Sequence, residues 1–308
     1  MSTLAPRAVL VTRRTELEEL LDRHGTRGAA EFYLRSRGRD LEQVQRSHDA
    51  QAAAVAEVGA ALPPDWRRGH VERADLARFP FAPEDTVVVV GRDGLVANVA
   101  KYVRGQRVVG VDPEPGRNPG VLVPHRAADV AALLTGPSAA VGLTMVRAVA
   151  DDGQELVALN EIYLGDRGHQ SARYLITTPD GRRERQSSSG LIVATGTGAT
   201  GWCASVAGER ASAPPLPDRA EAALAWFVRE AWPSPSTGVT LTAGRVDGSA
   251  ELTVVCQSER TVLFGDGVED DRVPLSWGQQ VTVGVADRRL HLVQATGVDP
   301  PAALRRSI

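Results

Sequence analysis

The apolar positions of the chain fall into two textures. Ala8 to Val11 is a short β-rich apolar run, entered from Pro6-Arg7 and followed by the polar Thr12-Arg13-Arg14. Thr15 to Arg23 then reads as a helix, with Leu17, Leu20 and Leu21 on one face. Thr15 and Glu18 stand in the spacing of a capping box at its start. The longest helical pattern runs from Asp40 to Leu62 and is stopped by Pro63-Pro64. Its apolar positions are Leu41, Val44, Val55, Val58 and Leu62, and His48 inside it reads as a packing or solvated residue. Thr86 to Val90 is a continuous β-branched run, as expected of a parallel strand buried on both faces. It meets the turn Gly91-Arg92-Asp93-Gly94, a helical stretch through Val103, and a second apolar strand from Arg107 to Val111. Pro113 to Pro119 is a loop.

From about Pro137 helical patterns become scarce. Strands are expected over Thr144 to Ala150, Leu156 to Leu164, Arg173 to Thr178 and Leu191 to Ala194, with hairpin signals at Asp152-Gly153 and Asp180-Gly181. One helix is expected from Asp218 to Trp232, carrying Trp226, Phe227 and Trp232 into the core or a subunit interface. Further strands follow at Thr240 to Ala243, Glu251 to Cys256, Val262 to Phe264, Val281 to Val285 and Leu290 to Val293. The pattern predicts an α/β, Rossmann-like N-terminal domain over 1–136 and an all-β, β-sandwich-like C-terminal domain over 137–308. The last residues are expected to pack back on the first domain.

Composition narrows the function classes. The 308 residues are 43% hydrophobic and 24% charged, enough for a sizeable core, and with 5% aromatics that core is mostly Ala, Val and Leu. A net charge of −3 shows no basic excess and argues against a nucleic-acid partner. Lys101 is the only lysine, an imbalance that reads mainly as compositional drift, although the forked donors of arginine suit phosphate and a few arginines could be ligands. Cys203 and Cys256 have neither zinc-ligand spacing nor company enough for a disulfide framework, which fits a reducing cytoplasm. The N-terminus lacks a signal-peptide pattern, and the apolar run near Val87 to Val90 is too short to span a membrane.

Three segments carry candidate chemistry. At Gly91-Arg92-Asp93-Gly94 a buried strand gives way to a helix through a glycine-containing turn, a setting whose backbone N–H groups suit phosphate. An Asp there can coordinate magnesium or accept a proton from an attacking hydroxyl; it can equally be an ordinary helix cap. Asn160-Glu161 adjoin inside an apolar strand, so their side chains point to opposite faces. An amide and a carboxylate together can hold two ribose hydroxyls, and an edge strand with both groups solvated is the plain alternative. Third, Ser187 to Trp202 is a short strand running into a loop of alternating Gly and Thr, where glycines would let a ligand approach the backbone. It is neither a Walker A loop nor a nucleophile elbow.

Together these segments resemble the signature of the NAD kinase family. Gly91-Arg92-Asp93-Gly94 is similar to its glycine-glycine-aspartate-glycine turn, Asn160-Glu161 to its asparagine-glutamate pair, and Thr195 through Ser205 to its Thr/Gly/Ser-rich loop. The resemblance implies an α/β domain followed by a β-rich domain with the active site between them. It implies transfer of phosphate from ATP, or polyphosphate, to the 2′-hydroxyl of NAD with Mg2+, and a homodimer or homotetramer. Asp93 would be the base, and Gly91, Arg92 and Gly94 the phosphate turn. Asn160, Glu161, Ser189, Thr195, Thr197, Gly198, Thr200, Gly201, Trp202, Ser205 and, from a late Gly-Asp-Gly turn, Asp266 would bind nucleotide. The chain departs from the family at Arg92 (for glycine), Leu95 (for threonine), Gly196 (for proline), Gly201 (for alanine), Trp202 (for tyrosine) and Ser189 (for aspartate). Those departures keep open a different nucleoside or sugar acceptor, or a non-catalytic NAD(P)-binding protein. His169-Gln170-Ser171 has no counterpart, and His125 and His169 read as structural.

Overall fold

The structure, a computed structural model, describes residues 5–117 and 120–294. The expectation for the last residues lies, from 295 on, outside them. The chain divides into two compact units, Met1–Val141 with His291–Ile308, and Gly142–Leu290.

The first unit runs β1 (Arg7–Thr12), α1 (Glu16–His24), α2 (Arg27–Arg35), α3 (Leu41–Ala61), β2 (Arg67–Glu72), β3 (Thr86–Val90), α4 (Asp93–Ala100), β4 (Arg107–Val111) and α5 (Val130–Thr135). Its strands lie parallel in the order β2-β1-β3-β4, and His291 and Leu292 of a later strand add parallel pairs to Arg107 and Val108. All five residues of β3 are buried, as a strand flanked on both edges and covered on both faces requires. Val88, Val90, Val109 and Val111 pack against Ala54, Val58 and Leu62 on one side of the chain and Val130, Leu133 and Leu134 of α5. The capping box at Thr15 forms: the hydroxyl accepts the Glu18 N–H and the Glu18 carboxylate accepts the Thr15 N–H at 2.7 Å. Thr15 Oγ1 also lies 2.8 Å from His48 Nδ1, so the cap of α1 is tied to α3 and His48 has a packing role.

Four elements of this unit differ from expectation. The helix after the turn stops at Ala100, short of Val103. Helices α2 and α5 and strand β2 were not expected; β2 reads Arg-Arg-Gly-His-Val-Glu, an edge strand in which only Val71 is buried.

The second unit runs β5 (Ala139–Ala150), whose first three residues belong to the preceding unit, β6 (Glu155–Ala158), β7 (Glu161–Asp166), β8 (Ala172–Thr177), β9 (Arg183–Ser188), β10 (Gly190–Ala194), α6 (Trp202–Gly208), β11 (Ala223–Arg229), β12 (Ala243–Asp247), β13 (Glu251–Cys256), β14 (Thr261–Gly265), β15 (Val273–Leu275) and β16 (Gln280–Gln294), whose residues from His291 on belong to the first unit. One layer has the order β6-β5-β16-β13-β8-β9, the other β12-β11-β10-β7-β14-β15. Alternate residues of both layers, among them Tyr174, Ile176, Leu252 and Val254 facing Leu191, Val193, Leu224 and Trp226, form the core between them. On the outer face of the second layer, α6 covers Ile192, Ala194, Ala225 and Phe227 through Cys203.

The helix expected over Asp218 to Trp232 is instead strand β11, paired with β10 and β12. Its alanines favour a helix locally, but Leu224, Trp226 and Val228 fill the sandwich core while Ala225 and Phe227 lie under α6. A strand buried on both faces satisfies both contacts. Trp226 and Phe227 are therefore core, whereas Trp232 is 68% exposed. Expected strands 281–285 and 290–293 are one strand, β16, and 156–164 is broken at Leu159-Asn160 into β6 and β7. The strand expected at 240–243 begins only at Ala243. Among the described residues no helix is long and apolar enough to cross a membrane.

Candidate functional site

In the first unit the site residues gather at the end of β3. Gly91 N–H donates to Val111 O at 3.0 Å, and Gln51 Nε2 of α3 donates to Val90 O at 2.8 Å, so the strand end is fixed from two sides. A Cβ on Gly91 would stand 3.0 Å from Leu95 Cδ2, whereas one on Gly94 would meet nothing within 4 Å. Gly94 is thus the open side of the turn. Arg92 is the N-cap of α4 without a side-chain cap bond, and its exposed guanidinium lies 3.8 Å from Glu114. Glu114 also accepts from Ser47 at 3.0 Å and pairs with Arg117. Asp93 turns its carboxylate onto the chain beyond β4: Oδ2 accepts the Val121 N–H at 3.0 Å and Oδ1 the Leu122 N–H at 2.9 Å. That segment crosses so close to β4 that a Cβ on Gly110 would sit 2.0 Å from Leu122 O. Asp93 therefore fixes the loop that passes over the strand ends.

In the second unit a second aspartate repeats this arrangement. Asp266 follows β14 in the left-handed region, φ 56°. Its Oδ1 accepts the Asn160 N–H at 2.7 Å and its Oδ2 the Leu159 N–H at 3.1 Å. It thereby shapes the break between β6 and β7 that carries Asn160 and Glu161. Thr195 closes the same knot from the other side. Its N–H donates to Asn160 O at 2.9 Å and its hydroxyl to Leu159 O at 2.6 Å, while the hydroxyl accepts from Thr197 and Gly198 N–H.

The glycines of this loop are a correction to the expected ligand approach. A Cβ on Gly196 would lie 2.2 Å from the Asp218 backbone, and one on Gly198 2.2 Å from Asn160 O. Those two glycines admit the protein's own backbone. Only Gly201 has room, with nothing nearer than Gly198 O at 3.8 Å. Thr195 and Thr197 are buried, and the Thr197 hydroxyl has no hydrogen-bond partner among the described residues. Thr200 and Ser205 are exposed, the former donating to Thr197 O at 2.9 Å.

Glu161 is the buried acid of the group, 8% exposed. Burial, then the negative charge of Asp266, push its carboxyl up to about 7. Cys203 of α6 faces the same region, its thiol pushed up to about 12 by burial and then by Glu161. Beside them lies an aromatic stack of which only Trp202 was in the expected set. Tyr163 stands two residues along β7 and donates its hydroxyl to Ser189 O at 2.7 Å. Trp202 stacks on it at 5.6 Å between centroids, Phe264 lies tilted against it at 4.9 Å, and Arg229 lies over Trp202 at 5.2 Å. Ser189 is thus a backbone anchor for Tyr163. The signal for Tyr163 was its glycine neighbours: a Cβ on Gly165 or Gly190 would lie 2.0 or 2.5 Å from its ring or hydroxyl.

His125 is buried with Nε2 2.9 Å from Val293 O, a structural contact, and His169 is exposed. Among the described residues no group of three or more His, Cys, Asp or Glu side chains is placed to hold a metal.

No family model matches the chain, and no curated protein matches it in sequence. Among solved structures it is similar to yeast NADH kinase complexed with NADH, with 13% identity over 96% of this chain and 85% of that one and a TM-score of 0.59. At that identity the likeness is one of fold, and the chain has an NAD kinase-like fold: a mixed α/β sheet unit and an antiparallel β unit.

Proposed function

We propose that this protein is an ATP-dependent phosphotransferase of NAD kinase type, acting on the ribose 2′-hydroxyl of NAD. The observation that carries the reading is the knot of Asn160, Glu161, Thr195 and Asp266, bonded together at a break between strands in a fold similar to that of an NADH kinase. An amide and a carboxylate on adjacent residues whose backbone is fixed in this way offer what two ribose hydroxyls require. Gly91 to Gly94, open at Gly94, is the phosphate turn in this reading.

Magnesium enters with ATP. A nucleotide-borne Mg2+ takes most of its ligands from phosphates and water and needs only one or two carboxylates, so it fits a protein whose described residues form no dedicated cage. Asp93 is the carboxylate beside the phosphate turn that would help to hold it, because each of its oxygens keeps a lone pair beyond its one amide bond. When bound, the ion neutralises charge on the transferring phosphate. The protein's own share is to position both partners and to take the hydroxyl proton.

A second reading, a different nucleoside or sugar acceptor, is favoured by Arg92, whose guanidinium occupies the rim of the turn beside Glu114 where the family has glycine. One assay separates the two. The protein is incubated with ATP, magnesium and a mixture of NAD, NADH, nucleosides and sugars, and phosphorylated species are identified by mass spectrometry. NADP or NADPH supports the first reading, another phosphorylated acceptor the second. No phosphorylated product with tight NAD binding by calorimetry would mean a non-catalytic binder.

A further inference from the structure

Within the first unit, beside the end of β3, three arginines share two carboxylates. Glu114 accepts from Ser47 of α3 at 3.0 Å, pairs with Arg117, and lies 3.8 Å from Arg92 at the N-cap of α4. Arg117 also donates to the Ser47 hydroxyl, so Ser47, Glu114 and Arg117 form a closed triangle. Glu16 of α1 accepts from Arg39 at 2.8 Å. That bond comes first in holding the Glu16 carboxyl below its ordinary value; against the opposing effect of burial, the charges of Arg39, Arg92 and Arg117 add to it. The three cations thus converge from separate segments: the residues before α3, the turn after β3 and the loop after β4.

The guanidinium groups are the outer members of this cluster. Side-chain exposure is 59% at Arg92, 51% at Arg39 and 38% at Arg117, against 18% at Glu114. At 3.8 Å Arg92 is drawn to Glu114 by charge, beyond hydrogen-bond length. Exposed ion pairs of this kind hold weakly. A chain of phosphates carries more charge than one carboxylate and offers oxygens to several forked donors at once. Arg92 adjoins Asp93 and Gly94, so an anion that it holds lies beside the turn.

We propose that Arg92 and Arg117 hold the phosphate chain of the donor, a linear condensed phosphate, that Arg39 extends the same site, and that Glu114 occupies the two guanidinium groups until the donor displaces it. The proposal deepens the kinase reading and rests on it for the anion's role as donor. The exchange is one of ion pairs, and no covalent bond changes. Glu114, tied to Ser47, keeps Arg92 and Arg117 gathered while the site is free and competes with the phosphate for both.

The test is calorimetric titration of the full chain with inorganic tripolyphosphate in magnesium-free buffer. The wild type should bind it, and Arg92→Gln and Arg117→Gln should each weaken binding about 10–100-fold. Glu114→Gln, which removes the competing carboxylate, should tighten it on the order of 5-fold, a gain that neither a structural role for Glu114 nor a misfolded variant would give. Arg35→Gln, which removes an exposed arginine paired with Glu31 on α2, should change it less than about 2-fold. ATP and adenosine as further titrants tell the two sources of the phosphate chain apart. ATP that binds more tightly than tripolyphosphate, with adenosine binding of its own, marks a nucleoside triphosphate; equal affinities mark inorganic polyphosphate; either upholds the site. A wild type that does not bind tripolyphosphate, equal weakening in Arg35→Gln, or no tightening in Glu114→Gln overturns the proposal, and the kinase reading still stands if an acceptor is phosphorylated in the assay above. Binding that follows Arg92 and Arg117 without any phosphorylated product upholds the anion site and overturns the kinase reading.

Discussion

Asp266 holds Asn160 by its backbone, not by its side chain: Oδ1 takes the Asn160 N–H at 2.7 Å while Oδ2 takes that of Leu159. The bend between β6 and β7, which Thr195 holds from the other side, is thus fixed by a residue 106 positions later. Asp266 itself sits at φ 56°, a conformation that Asn tolerates and Ala resists. Asp266→Asn should keep one of the two acceptors and lose little stability. Asp266→Ala should leave both amides unsatisfied, at about 1–3 kcal/mol each, and add strain. Urea denaturation gives the loss. Hydrogen exchange at Leu159 and Asn160 gives its place, and unchanged protection there in the alanine variant would refute the pinning.

Tyr163 lies flat across its own strand because Gly165 leaves room for its hydroxyl. Gly165→Ala should therefore lift the ring, break the bond to Ser189 and cost about 1–3 kcal/mol of overpacking. The cost should be specific to the tyrosine. In Tyr163→Ala the same Gly165→Ala change should be nearly neutral, a large coupling in a double-mutant cycle. Additive effects of the two substitutions would show that Gly165 matters for its backbone alone.

Glu161 also makes stability depend on pH. Its ordinary value is 4.5 and its folded value about 7, so between those limits the native state binds more protons than the unfolded chain. Stability from this group is fully present below about 4.5 and is lost as pH rises through about 7. At about 1.4 kcal/mol for each pH unit, the loss reaches on the order of 3 kcal/mol. Glu161→Gln, neutral throughout, should match the wild type at pH ~4 and exceed it in denaturant midpoint at pH ~8. Equal midpoints at pH 8 would mean that the carboxyl carries no such penalty. A buried acid that weakens the fold at neutral pH is what a functional group, rather than a structural one, is expected to cost.

Much of the frame was legible from local chemistry. Thr15 and Glu18 announced a helix start that forms as a capping box, and the β-branched run at 86–90 announced a strand buried on both faces. Legibility failed where distant contacts override local preference. The alanines at 220, 222, 223 and 225 favour a helix, yet Trp226 and Phe227 are claimed by cores on opposite faces, which a strand serves better. Strand β2 was invisible because an edge strand with one buried residue has no apolar alternation to read. At the sites, Asn160, Glu161, Thr195 and Asp266 were each named, but not that two aspartates serve backbone amides or that Gly196 and Gly198 serve chain crossings. Those roles follow from which segments meet in space.

The last pairs of β16 bear on how the protein is made. Val108 of β4 is partnered on one edge by β3 and on the other by Leu292, and between them the chain spells out the whole of the second unit. During synthesis the parallel sheet therefore waits with one edge unfilled while 142–290 emerges, and it is the late arrival of His291 and Leu292 that closes it.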